Sequence, residues 1–276
     1  MALEVAVIIR REQMEAFDAA SRKAFEDSTY RHLQEYFPQH CELLGEDQMR
    51  RVIRHGWKKA EIHDLTDARC VRSYIEFMCQ LGSGFDSDIL LPWAAETLND
   101  RSAIQITRAD RLYHRVWDYV DHIARDYRDA EGIPTTQRFV PQLRQVRRDS
   151  SEHLDQANAA RFCETLGQRL TRSLPEKCAY VGAENLRRAI TEAVESARTY
   201  GITVIRGATL FAVMRFVLGA EFDRDPLIPW ASSVLLDKTI TDQFKRVDKL
   251  YAAGVSFLGR WWDLSFKTGE PRNVLE

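Results

Sequence analysis

Gly82-Ser83-Gly84-Phe85-Asp86-Ser87-Asp88-Ile89-Leu90-Leu91-Pro92-Trp93-Ala94 returns later in the chain as Gly219-Ala220-Glu221-Phe222-Asp223-Arg224-Asp225-Pro226-Leu227-Ile228-Pro229-Trp230-Ala231. The two stretches lie 137 positions apart, and the same offset aligns residues 10–100 with the second half of the chain without a gap. Within that window 27 of 91 positions are identical, where ordinary residue frequencies give roughly 5 or 6 by chance. Landmarks further upstream also pair: Phe25 with Phe162, Pro38 with Pro175, Cys41 with Cys178, Gly45 with Gly182, and Arg50-Arg51 with Arg187-Arg188. With a one-residue shift the match resumes at Leu112-Tyr113 and Leu250-Tyr251. Self-similarity at this level reads as a duplication.

The periodicity within one copy is helical. Residues 11–37 space Met14, Phe17, Phe25, Leu33 and Phe37 among polar residues, and Pro38 closes the run. A second helix is predicted over 46–62, on Met49, Val52, Ile53 and Trp57. Thr66-Asp67 caps a third over 67–81, and Gly82-Ser83-Gly84 ends it, since glycine accepts the left-handed conformation a helix terminus needs. A short helix over 89–98 and a long one over 105–126 complete the copy. The second copy repeats the plan at 149–173, 183–199, 203–218, 227–236 and 241–262. The expected fold is all-α, a tandem duplication of a roughly five-helix module. Copy one occupies 1–126 with a short extended arm at 2–9, a linker spans 127–144, copy two occupies 145–262, and 263–276 form a tail. Broad apolar stripes predict that the two modules pack on each other.

Composition narrows the function classes. The 276 residues carry 39 Lys+Arg against 41 Asp+Glu, a net charge of −2, which offers no electrostatic footprint for nucleic acid. The apolar run at the N-terminus is short and interrupted by Glu4, so no secretory signal is expected. No stretch approaches the ~18 apolar residues of a membrane span, so membrane insertion is not expected. Five cysteines without a CxxC pair read as reduced, mostly buried thiols of a cytoplasmic protein.

The repeated motif is the first candidate for chemistry. Asp86/Asp88 and Asp223/Asp225 have the Asp-x-Asp spacing with which some nucleotide-sugar enzymes hold a divalent cation. No glycine-rich phosphate loop accompanies them. The alternative is structural: Asp86 or Asp88 caps the following helix, with Pro92 in its first turn and Phe85 and Trp93 buried. The paired arginines either grip a carboxylate or phosphate of a partner, or snorkel from the helix face or pair with the acidic loop, and an internal Arg–Asp bridge is the expectation. Seven histidines are scattered without HExxH or a His/Cys cluster, so no metal or other cofactor is expected. Cys41 and Cys178, at matching positions, suit a packing slot better than a duplicated nucleophile. Trp261-Trp262 with Phe257 and Phe266, and Trp117 in the matching helix, either glue the modules together or form a protein-binding patch.

The run Phe37-Pro38, Cys41, Leu44-Gly45, Arg51, Gly56, Tyr74-Ile75-Glu76, Leu81-Gly82, Phe85-Asp86-Ser87-Asp88 and Pro92-Trp93-Ala94 resembles a helical module of proteins encoded with bacterial type VI secretion systems. It is similar to the helical part of the effector adaptor/chaperone proteins that load toxins onto the secretion spike, and to stand-alone relatives. The resemblance covers both copies. It implies a non-enzymatic protein that binds a secreted effector or a spike component. An immunity protein that occludes a toxin is the alternative, and an effector enzyme built on the aspartates is the second. The candidate binding residues are those of the motif loops and aromatic helix ends: Arg51, Phe85, Asp86, Asp88, Trp93, Arg188, Phe222, Asp223, Asp225, Trp230, Trp261 and Trp262.

Overall fold

The structure, a computed structural model, describes residues 11–124, 143, 145–147 and 149–267; the side chains of 11–18 and of several residues near the last helix end lie outside this description. The predicted arm at 2–9, nearly all of the predicted linker and residues 268–276 of the predicted tail fall outside the described residues. The fold is all-α. Its elements are α1 (Arg11–Tyr36), α2 (Pro38–Leu44), α3 (Glu46–Ile62), α4 (Ala68–Leu81), α5 (Pro92–Asn99) and α6 (Gln105–Tyr119), the last running into a π-helical turn at Val120–Ala124. The second half holds α7 (Gln156–Ser173), α8 (Pro175–Val181), α9 (Ala183–Thr199), α10 (Ile205–Leu218), α11 (Pro229–Leu235) and α12 (Gln243–Lys267). Among the described residues no helix is long and apolar enough to cross a membrane.

The bounds of α8, α9 and α10 fall 137 positions after those of α2, α3 and α4. Among the described residues, each half holds six α-helices where five were expected. The additional ones are α2 and α8, each opened by a proline at its first turn. Proline lacks an N–H and has its φ preset, so it ends α1 or α7 and starts the next helix at once. Gly45 and Gly182 then turn the chain with φ of 75° and 80°. Asp67 caps α4 as expected, accepting a hydrogen bond from the backbone N–H of Arg69 at 2.9 Å. In the second half Asp155 forms a reciprocal capping box with Asn158.

The core runs through both halves as one cluster. Leu33, Met49, Val52, Val71, Tyr74 and Met78 are buried in the first, and Leu170, Ile190, Leu210, Phe211 and Leu250 in the second. The halves also exchange contacts. Helix α2 packs on α12, and α8 packs on the π-helical turn after α6. At the first contact Trp261 meets the His40 ring edge-on at 4.5 Å. At the second, Tyr180 meets Tyr119 at 5.2 Å. Each short helix therefore rests on the final long helix, or its extension, of the opposite half.

Candidate functional site at the junction of the two halves

Helices α4 and α10 end at Gly82 and Gly219, with φ of 91° and 100°. The two glycines cross back to back. A Cβ on Gly82 would stand 2.8 Å from the carbonyl oxygen of Leu218, and one on Gly219 would stand 3.0 Å from that of Leu81. Glycine is therefore required twice over, for the backbone conformation and for the close approach. Gly84 is pressed against Glu221, whose Cγ would lie 2.6 Å from an added Cβ. The repeated motif thus meets its own second copy.

The second aspartate of each motif joins the halves. Asp225 accepts the backbone N–H of Leu227 at 2.8 Å with one oxygen and that of Ser83, from the other half, at 2.7 Å with the other. Asp88 accepts the N–H of Leu90 at 3.0 Å, and the N–H of Ala220, the counterpart of Ser83, favours its charged form from across the junction. Burial raises the pKa of Asp88 and Asp225, against the opposing pull of these N–H groups. Two further contacts cross the junction. Lys59 Nζ reaches Glu221 at 3.3 Å, and Gln48 donates to the Pro226 carbonyl at 2.6 Å.

The first aspartate of each motif braces its own half, and here the copies differ. Asp86 accepts from Lys59 at 2.8 Å, from the Tyr74 hydroxyl at 2.7 Å and pairs with His63 Nε2 at 3.0 Å. Burial works to raise its pKa, but hydrogen bonds from His63, Lys59 and Tyr74, with the Lys59 charge, outweigh this and hold it well below the usual carboxylate range. Burial and Asp86 together drive the Tyr74 phenol far up. Asp223 has gentler company: Ser196 at 3.0 Å and the Tyr200 hydroxyl at 2.9 Å. Burial and then Asp223 push Tyr200 up to about 12. Lys59, His63 and Tyr74 in one half occupy the positions of Ser196, Tyr200 and Phe211 in the other.

These contacts correct two expectations. The aspartates do not cap α5 or α11, whose N-cap residues are Leu91 and Ile228 without side-chain caps. Asp88 and Asp225 instead close the turn before those helices, because Pro92 and Pro229 at the first turn leave fewer N–H groups to cap. The internal Arg–Asp bridge expected of the paired arginines does form at Arg50, but with Asp27 and not with the acidic loop. Arg50 lies over the Tyr30 ring and pairs with Asp27 at 2.7 Å, Glu46 at 2.8 Å and Glu26 at 3.2 Å. Arg51 is exposed and donates to Gln48 at 3.3 Å, and Arg188 is exposed.

The aromatic candidates sit mostly inside. Phe85 and Phe222 are 1% exposed, packed on Tyr74 and Phe211 respectively. Trp93 is buried near Tyr119, and Trp230 is half-buried against Phe257. Trp261 is half-buried between His40 and Phe257. The side chains of Trp262 and Phe266 lie outside the described residues. So the twelve candidates do not form one surface: the junction gathers Phe85, Asp86, Asp88, Phe222, Asp223 and Asp225 in its interior, while Arg51 and Arg188 are exposed. Lys59, His63, Glu221 and Gln48, none of them among the twelve candidates, also join the site. Their only signal was proximity in the fold.

Among the described residues no group of three or more His, Cys, Asp or Glu side chains is placed to hold a metal ion. Burial pushes the Cys41 thiol up to about 11 and raises Cys178 as well, which keeps both protonated and weakly nucleophilic.

Asp86 gives the junction a pH signature. Its proton binds more weakly in the folded chain than in the unfolded one, where an aspartate titrates at about 3.9. Its stabilisation is therefore complete above that value and drains away as pH falls through the lower, folded value. Asp88 and Asp225 have the opposite sign, favouring the folded state once protonated. The urea midpoint of wild type should exceed that of Asp86→Asn at pH 7, and the gap should narrow on acidification below about pH 4. A gap that stays constant with pH would remove Asp86 from this role.

No family model, curated protein or solved structure matches the chain.

Proposed function

We propose that the chain works by binding another protein, as a cytoplasmic adaptor or chaperone for an effector of a type VI secretion system, and that its two halves are copies of one helical module. The observation that carries the reading is the use of both Asp-x-Asp motifs. Their carboxylates are buried and occupied by backbone N–H groups, Lys59, His63 and hydroxyl donors of the chain itself. A buried carboxylate already held by donors of its own fold is a poor cation ligand or general base. What the molecule presents instead is helical surface with shallow grooves, which suits partner recognition by side-chain complementarity.

The test is co-purification from the native bacterium with a tagged full chain at low salt, followed by mass spectrometry. A secreted effector or spike component should be recovered, should recover the chain when tagged in turn, and should stay active and be delivered in its presence. Recovery of a toxin that the chain silences would favour an immunity protein. Uptake of a divalent metal by the pure chain, with no protein enriched, would overturn the proposal.

A further inference from the structure

The groove bounded by α7, α8 and α9 has a volume of about 1070 Å³. Leu186 and Ile190 form its floor, and small residues including Ala160, Gly167, Ala179 and Ala183 leave it open. The corresponding place in the first half, between α1, α2 and α3, shows what fits there. The counterpart of Gly167 is Tyr30, whose ring is buried under the Arg50 guanidinium at 5.1 Å and whose hydroxyl accepts from Gln34 at 3.3 Å. Arg50 is in turn neutralised by Glu26, Asp27 and Glu46. In the second half the cation is kept as Arg187, but the ring is gone and two of the three carboxylates are replaced, Glu26 by Cys163 and Glu46 by Ala183. A Cβ on Gly167 would meet nothing nearer than Ile190 Cδ1 at 3.9 Å. The lining also carries Arg161 and Arg172 with Glu164 as its sole acid, and among the described residues none of the three arginines has an ion pair.

We infer that this groove is the docking site for a partner segment that presents an aromatic side chain beside carboxylates, supplying in trans what Tyr30, Glu26 and Glu46 supply in cis to the first half. The inference rests on the protein-binding reading and names the chemistry of the partner. An aromatic ring covers the Leu186/Ile190 floor, and the flanking acid pairs with Arg187, Arg161 or Arg172. A cation stacked on a ring and bridged to a carboxylate gains from both contacts, and shielding from water strengthens them.

The full-length, ¹⁵N-labelled chain is titrated by NMR with the acetylated peptide Glu-Glu-Phe-Glu-Glu. Lys-Lys-Phe-Lys-Lys and Glu-Glu-Ala-Glu-Glu serve as comparisons. The acidic aromatic peptide should shift the amides of Gly167, Gly182 and Ala183, and the other two should not. Gly167→Tyr, which rebuilds the plug of the first half in open space, should weaken binding by about tenfold or more. Arg187→Glu, an exposed change that leaves the groove open, should do the same and guards against a folding defect in the first variant. Absence of shifts in the groove, or binding by Gly167→Tyr and Arg187→Glu as tight as that of the wild-type chain, overturns the inference. So do shifts of the same amides that grow with protein concentration alone, which would mark a second copy as the occupant. Binding that appears only after residues 1–10 or 268–276 are removed would mark the chain's own ends. Peptide binding without any co-purified effector would keep the groove and remove the effector reading. An effector that co-purifies equally with Gly167→Tyr, and no peptide binding, would do the reverse.

Discussion

Replacement of Asp86 by alanine is expected to lower the free energy of unfolding by about 3–5 kcal/mol, as removing one member of a buried charge pair does. The substitution strands the Lys59 ammonium, 13% exposed, with only Glu221 at 3.3 Å and the Ser83 carbonyl at 2.9 Å. It also deprives His63 and the deeply buried Tyr74 hydroxyl of their acceptor. The matching change in the other half, Asp223→Ala, removes bonds from Ser196 and Tyr200 only. Two hydrogen bonds are lost there instead of three, both from neutral hydroxyls, and no cation is left behind, so its loss should be the smaller. Urea denaturation of the two variants side by side measures the difference. Equal losses would mean that the Lys59–His63 arrangement adds nothing beyond its hydrogen bonds.

The second large effect lies at Gly82. Its φ of 91° and ψ of 155° belong to a region that only glycine occupies freely. Gly82→Val combines that strain with a clash against the Leu218 carbonyl. Together they should cost about 2–6 kcal/mol, half from backbone strain and half from overpacking. Gly45→Ala is the control, since Gly45 has a similar backbone, φ 75° and ψ 165°, yet nothing within 4 Å of an added Cβ. Its cost should stay at the backbone share, about 1–3 kcal/mol. If Gly82→Val and Gly45→Ala cost the same, the close crossing of the two loops is not a determinant of stability.

Helix periodicity and capping made most of the fold legible. The apolar spacing of α3 and α4 and the Asp67 cap placed their bounds to within a residue. What escaped was α2 and its counterpart α8: seven residues are too few for a periodic pattern to emerge, and Pro38 and Pro175 read as stops when they are also starts. The motif announced itself by repetition, but its role depends on which residues face it across the junction. Asp225 meets Ser83 142 positions earlier in the chain, and no local spacing encodes that. Lys59 and His63 escaped for the same reason, being absent from the second half where Ser196 and Tyr200 stand. The groove at Gly167 shows the value of the comparison from the other side. Alone, Gly167 is an unremarked helical glycine; set beside Tyr30 it is a missing ring.

The claim that the repeated motif clasps the two halves is tested most directly by amide hydrogen exchange at Ser83 in the Asp225→Ala variant. The substituted side chain belongs to the second half and the reporting amide to the first. Loss of the 2.7 Å bond from Ser83 to Asp225 should speed exchange at Ser83 by about tenfold or more, the equivalent of about 1.4 kcal/mol. Amides in the middle of α7, whose residues take no part in the junction's hydrogen bonds given above, should respond less. Exchange at Ser83 that is unchanged in a folded Asp225→Ala variant would contradict the clasp and return the Asp-x-Asp pairs to consideration as a site for chemistry.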